Sequence, residues 1–437
     1  MAYTWWEILF FVIGLLSCIS ILVVLFLPVG HGPKNFSYSG VVPFVTSPQF
    51  IAMIADSLNL PSREGDKIEI LNNGDAFLAS LLADIDAAQK SINLMVYIWT
   101  SGKMSDAVLA HLNKKLKQGV QIRILVDGFG AKVVTRTGEF DTFKSLGGKV
   151  GIFHSFSIAP WHLLKNQVRN HRRSIIIDGS IGYVGGMTVS DPWLGNARNP
   201  EEYRDLMFRT VGPMVLHIQS AFDELWTSMT GEIISGETFY PALASMDIDI
   251  KSGSSCSYIS LVSTPSPDTL ALQKFLLLSV LGAERSIHIT TPYFLPDQSF
   301  CEALIKKAKE GVAIQILVPN ILNDVRAVYY ASRFSYENLL DNGVHIYEYQ
   351  PTFIHTKSMI IDGAWSVIGS ANLDNRSRKI NEENVFGVSS AEFAADLEAV
   401  FSADLTDAIE INPVEWKNRG PIERAREIFD QKFIKQS

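Results

Sequence analysis

Two histidines stand in near-copies of one pattern. The first copy, "HRRSIIIDGSIGYVGGMT", has His171, Arg173 two residues on, Asp178 five further, then Gly185, Gly186 and Thr188. The second, "HTKSMIIDGAWSVIGSAN", has His355, Lys357, Asp362, Gly369, Ser370 and Asn372. His171 and His355, Asp178 and Asp362, Gly185 and Gly369, and Thr188 and Asn372 are all 184 residues apart. In an extended chain, residues i and i+2 share a face, so each histidine projects beside its cation. An imidazole and a cation near a hydroxyl or an amide suit a phosphate group. The cation neutralises a non-bridging oxygen, the polar groups donate hydrogen bonds, and the histidine attacks phosphorus or moves a proton. One such histidine alone reads as the cap of a strand. Two at a fixed offset favour a two-step displacement in which one attacks and the other transfers the proton.

The charge distribution agrees. The chain has 437 residues and a formal net charge of −8, which argues against a general nucleic-acid coat. Yet no acidic residue lies between Asp141 and Asp178, while Lys144, Lys149, Lys165, Arg169, Arg172 and Arg173 do. In an acidic chain this is a local anion site. The three cysteines, Cys18, Cys256 and Cys301, are scattered and suggest neither a disulfide framework nor a zinc site.

The elements that must position these residues are also repeated. The segments 76–128 and 270–320 each read as helix, strand, helix, strand, with "SINLMVYIW" and "SIHITTPYF" as the first strands. Gly119 and Gly311 close the second helices. Alternating strands and helices imply an α/β fold: two homologous halves, each with a mostly parallel sheet flanked by helices, packed about a pseudo-twofold axis. The expected division is 1–35 for an anchor, 66–250 and 255–416 for the halves, and 417–437 for an amphipathic tail. A Ser/Gly-rich linker is expected near "DIDIKSGSSCS".

The paired HxKxxxxD pattern, followed by GG or GS, resembles the phospholipase D superfamily and within it the bacterial cardiolipin synthases. The resemblance runs from about Leu71 to Trp416 and includes "YRDLMFR", "TPYFLPD", "GSANLDNRS" and "INEENVFGV". It implies transfer of a phosphatidyl group, with cardiolipin made from two phosphatidylglycerols and glycerol released. His171 would form a phosphatidyl-histidine intermediate, His355 would act as general acid and then base, and no metal or other cofactor would be needed. It also implies an orienting carboxylate for each histidine. "RDLMF" and "EENVF" align Asp205 with Glu383, and the family pattern pairs them crosswise, Glu383 with His171 and Asp205 with His355. Surface salt bridges are the other reading of these two acids. Arg173, Lys357, Asp178 and Asp362 belong to the catalytic motif, with the two aspartates, each at the end of a buried strand before glycine, read as mainly structural. Thr188, Ser370 and Asn372 would bind or orient the phosphate. Arg173 in place of lysine, Thr188 in place of asparagine and Met95 in place of an acidic residue depart from the pattern. Hydrolysis by a phospholipase D or nuclease-type phosphodiesterase, and a degenerate lipid-binding relative, are the rival readings.

From Ile8 to Leu27 the chain carries 20 residues without a charge, enough to span a bilayer core. No basic segment precedes the run and no small-residue cleavage site follows it, which favours a retained anchor over a signal peptide. Lys34 after the run places the body on the cytoplasmic side of the cell membrane. "PWHLL" (160–164) either dips into the membrane interface or belongs to the core. In the tail, Ile422, Ala425, Phe429 and Phe433 recur at helical spacing, with packing on the body the preferred reading.

Overall fold

The computed structural model describes residues 4–26, 36–155, 167–243, 256–265 and 270–436, without the side chains of 19, 21–26 and 433–436. The "PWHLL" segment and most of the expected linker lie outside the described residues.

Among the described residues fifteen strands form one continuous sheet. The first half supplies β1 (Ser62–Asn72), β2 (Ser91–Val96), β3 (Gln121–Asp127), β4 (Lys149–Phe153), β5 (Ser174–Ile177), β6 (Ile181–Gly185) and β7 (Leu206–Val211). The second supplies β8 (Cys256–Ser263), β9 (Ser286–Thr290), β10 (Ala313–Pro319), β11 (His345–Tyr349), β12 (Ser358–Ile361), β13 (Trp365–Gly369), β14 (Glu383–Ser389) and the short β15 (Ala408–Glu410). Antiparallel β1 and β8 meet at the centre. Outwards from them, β1-β7-β6-β5-β2-β3-β4 is matched by β8-β14-β13-β12-β9-β10-β11, with β15 added at one edge. The pseudo-twofold axis passes between β1 and β8.

The sheet is mixed, not mostly parallel. Only β2-β3-β4 and β9-β10-β11 run parallel. After β5 and β12 the chain does not cross over through a helix. It reverses at Asp178-Gly179 and Asp362-Gly363, whose φ angles are 52° and 65°, and 56° and 62°. Asp-Gly is a pair that tight hairpins with positive φ favour. Each reversal lays β6 or β13 antiparallel beside its predecessor.

Strand alternation sorts the core. Ile92, Leu94 and Val96 of β2 face one side, where Phe77, Leu81 and Ile85 of the helix Asn73–Ala87 and Met104, Val108 and Leu112 of the helix Lys103–Lys117 cover them. The matching face of the second half is covered by the helices Ala271–Leu281 and Gln298–Lys309. On the opposite face the halves share a core. There Met95, Ile176 and Phe208 join Ile360, Ile368 and Phe386 beneath the helices Met214–Thr230 and Ala391–Thr406. Each such side chain contributes roughly 1.5–3 kcal/mol on full burial, so the shared face fixes the halves to each other.

The N-terminal helix Trp5–Phe26 is apolar, and its described side chains are exposed, Trp5 at 88% and Phe11 at 73%. Among the described residues no helix is long and apolar enough to cross a membrane. The expected span falls partly outside them: it includes Leu27 and the side chains of Ile19 and residues 21–26. The C-terminal helix Pro421–Gln436 packs on the body through its charged side. Arg333 bonds Glu423 at 2.6 Å and approaches Glu427 at 3.3 Å, and Arg426 lies 3.8 Å over the Tyr330 ring. Ile422, Ala425 and Phe429 face outwards, so packing does not use the apolar side.

Candidate active site

Each histidine segment enters the opposite half through a short parallel bridge. The His171 amide donates to the Glu382 carbonyl at 3.0 Å, and the Glu382 amide donates to the Arg169 carbonyl at 2.9 Å. The His355 amide donates to the Arg204 carbonyl at 2.7 Å, and the Arg204 amide donates to the Phe353 carbonyl at 3.0 Å. Glu382 and Arg204 immediately precede Glu383 and Asp205 in the sequence, so the bridges set each carboxylate against the other half's histidine.

Nδ1 of His171 lies 2.9 and 3.0 Å from the two carboxylate oxygens of Glu383. Nδ1 of His355 lies 2.6 Å from Oδ2 of Asp205. These are buried pairs, not surface salt bridges: both carboxylates are 0% exposed. Further donors fix them. Ser370 and Ser377 donate to Glu383 at 2.5 and 2.6 Å. Trp193 Nε1 and the Leu206 amide donate to Asp205 at 2.9 and 2.8 Å. Gly186 makes room for this: a Cβ there would lie 2.4 Å from an Asp205 oxygen. Ser377 and Trp193 were not among the sequence candidates. No periodicity marks them, although Ser377 ends the quoted "GSANLDNRS" and Trp193 lies between Thr188 and "YRDLMFR".

The cations are placed alike. Lys357 Nζ donates to the His355 carbonyl at 2.6 Å and lies 3.1 Å from that ring's Nδ1. Arg173 Nη1 donates to the His171 carbonyl at 2.5 Å, with its guanidinium 5.8 Å from the Tyr97 ring centre. Arginine thus makes the backbone contact that lysine makes in the other half. Arg173 Nε, Thr188 Oγ1 and Asn372 Oδ1 are buried without hydrogen-bond partners. Unpaired buried polar atoms are costly, and a polar ligand would satisfy them.

Burial dominates the electrostatics. It pushes His171 well below the usual imidazole range, with Arg173, Lys357 and Arg376 adding repulsion. Burial, then Lys357, pushes His355 down to about 4 against the pull of Asp205. Lys357 is pushed down to about 7 by burial, and Glu383 up to about 7. Asp205 is lowered: burial opposes this, and the charges of His355 and Lys357 outweigh it. Each imidazole turns its Nδ1 to a carboxylate of the other half. Aromatic rings wall the His355 side: Trp193 at 5.2 Å, Phe353 at 5.6 Å and Tyr203 at 6.2 Å between ring centres. Tyr97 stands 5.3 Å from His171.

Asp178 and Asp362, grouped with the catalytic residues by motif, do not join this cluster. They lie at the far ends of β5 and β12. Asp178 accepts from the amides of Gln89, Lys90 and Ser91 at 2.7, 2.7 and 2.8 Å. Asp362 accepts from Glu284, Arg285 and Ser286 at 2.8, 2.7 and 2.9 Å. Each ties its hairpin to the start of β2 or β9. Met95 is fully buried in the shared core. Among the described residues no group of three or more His, Cys, Asp or Glu side chains is placed to hold a metal ion.

Comparison with known proteins fits this arrangement. The family model described as "Cardiolipin synthase, PLD-like domain" matches residues 81–226 and 278–405. Cardiolipin synthase 1 of Staphylococcus epidermidis is 34% identical over 345 residues, covering 78% of this chain and 68% of that one. A cardiolipin synthase of Staphylococcus aureus is 32% identical over 355 residues, covering 80% and 70%. Among solved structures, the phosphatidylserine synthase of Haemophilus influenzae superposes with a TM-score of 0.66 at 13% identity, covering 88% of this chain and 96% of that one. At that identity the likeness shows the fold alone.

Proposed function

The chain belongs to the phospholipase D-like cardiolipin synthase family, and from that premise we propose that it is a phosphatidyltransferase joining two phosphatidylglycerols into cardiolipin, with release of glycerol. The observation that carries this reading is the buried pair of histidines, each backed by the other half's carboxylate and flanked by a cation.

With Nδ1 of each ring held by a carboxylate, Nε2 is the nitrogen for chemistry. Its lone pair on His171 attacks phosphorus, and the bond from phosphorus to the glycerol oxygen breaks. His355, protonated at Nε2 against Asp205 once the negatively charged phosphate is bound, gives that oxygen its proton and is left neutral. A second phosphatidylglycerol then presents a hydroxyl; His355 takes its proton, the oxygen bonds to phosphorus, and the P–N bond returns its electrons to His171. Arg173 and Lys357 balance the charge of the phosphoryl oxygens, and Thr188, Ser370 and Asn372 line the phosphate seat. Asp178 and Asp362 take no part in the chemistry and hold their hairpins to the starts of β2 and β9. The apolar helix Trp5–Phe26 anchors the body at the cell membrane, on the cytoplasmic side, where the substrate lies.

The test is product analysis with purified protein and labelled phosphatidylglycerol. Wild type releases glycerol and forms a four-chain lipid, and His171→Ala does neither. Phosphatidic acid as the sole product would instead establish hydrolysis.

A further inference from the structure

The two halves share a backbone plan, but the surroundings of their histidines differ. Around His355 the rings of Trp193, Tyr203 and Phe353 also touch one another, with centres 4.9 Å apart for Trp193–Tyr203 and 5.0 Å for Tyr203–Phe353. Tyr293 stacks on Phe353 at 6.4 Å. Its hydroxyl donates to Oδ1 of Asp324 at 2.7 Å. Asn323 secures that loop by donating to the Pro292 carbonyl at 3.1 Å. Tyr203 and Tyr293 are half-buried and Asp324 is exposed, so the ring wall opens outwards through polar groups. Beside His171 the described residues place one ring, Tyr97.

We propose that this recess is the seat of the alcohol exchanged at phosphorus, and that Asp324, Tyr293 and Tyr203 recognise the vicinal diol of a glycerol head group. The inference rests on the reaction proposed above. In-line displacement puts the leaving and entering oxygens opposite the nucleophile; with His171 attacking, they lie on the His355 side. Aromatic faces suit the C–H edges of a polyol and exclude water. A carboxylate offers about four acceptor positions, and Tyr293 occupies one. The remaining positions can take alcohol hydroxyls in charge-assisted hydrogen bonds. An alcohol without the second hydroxyl forfeits those bonds.

The experiment follows how one covalent intermediate divides between two soluble acceptors. Unlabelled phosphatidylglycerol is the donor. Glycerol and 1-propanol, carrying different labels at equal concentration, compete for the phosphatidyl group. The readout is the ratio of labelled phosphatidylglycerol to phosphatidylpropanol, which is independent of the rate of the first step. Asp324→Asn and Tyr203→Phe should lower the ratio on the order of tenfold, the weight of one charge-assisted hydrogen bond. The remote surface variant Asp106→Asn should keep the wild-type ratio. Thermal melts confirm that each variant is folded. An unchanged ratio, within about twofold, in both recess variants overturns the diol seat while leaving the transferase reading intact. Absence of both products from wild type refutes the transferase reading and the seat together.

Discussion

At the scale of single residues, the arginine that stands where the pattern has lysine makes the lysine's backbone contact. Arg173 is 1% exposed and gives its own histidine's carbonyl the hydrogen bond that Lys357 gives in the other half. Arg173→Lys should therefore keep kcat/KM within about tenfold of wild type, while Arg173→Ala should lose about a hundredfold or more, the weight of a charge stabiliser in a buried site. Steady-state kinetics on the two variants separate a working arginine from a degenerate site. The pH profile follows from the shifts. Lys357, pushed down to about 7 by burial, carries its charge below that pH and loses it above. Glu383, pushed up to about 7 by burial, loses its charge below that pH. The site needs both charges, so kcat/KM should trace a narrow bell centred near pH 7. Lys357→Arg should remove the alkaline limb, because a guanidinium stays charged. An alkaline limb unmoved in that variant would exclude Lys357 as its source.

At the scale of elements, the motif aspartates serve the turns. The repeat made "IIIDG" and "MIIDG" legible as strand ends, and Asp-Gly carried a hairpin signal. The expectation of a mostly parallel sheet nevertheless came from the helix-strand alternation of 76–128 and 270–320, which describes only the outer strands of each half. The inner hairpins have no helix to announce them, so the mixed sheet was legible only through that dipeptide. Asp178→Ala removes the acceptor of three amides and puts alanine, which tolerates the left-handed region less well than aspartate, at φ 52°. The expected loss is about 2–4 kcal/mol in urea denaturation, from the hydrogen bonds and the left-handed backbone. Activity per folded molecule should change little. Asp178→Asn keeps one oxygen and tolerates the left-handed region, so it should cost less. A loss of turnover without a loss of stability would make Asp178 more than a turn residue.

At the scale of the whole molecule, the halves are locked through the site itself. The 184-residue offset exposed both histidines, and the alignment of Asp205 with Glu383 exposed their partners. Nothing in spacing or periodicity exposed the lock beside them. Arg172, 0% exposed, reaches from the first half to Glu382 in the second at 2.5 Å, and also bonds Glu224 at 2.8 Å and Thr264 at 3.0 Å. The sequence counted it among the cations of a local anion site, but the structure turns it to two carboxylates of the protein itself. Burial pushes Glu382 up to about 7, while Arg172 pulls the other way. The folded state thus holds the Glu382 proton more tightly than the unfolded chain, and this group's contribution to stability falls as pH rises from about 4.5 through about 7. Arg172→Ala takes away the opposing attraction and leaves a buried carboxylate unpaired, a loss of about 3–5 kcal/mol. The carboxyl can escape that cost by keeping its proton, so the loss should be smaller at pH 5 than at pH 8. Glu382→Gln in the Arg172→Ala background should recover part of the stability at pH 8 and little at pH 5. Turnover should fall with the lock, because the Glu382 carbonyl holds the His171 amide and Glu383 is the next residue. Equal losses at the two pH values would show that Arg172 acts by packing alone and that charge does not join the halves.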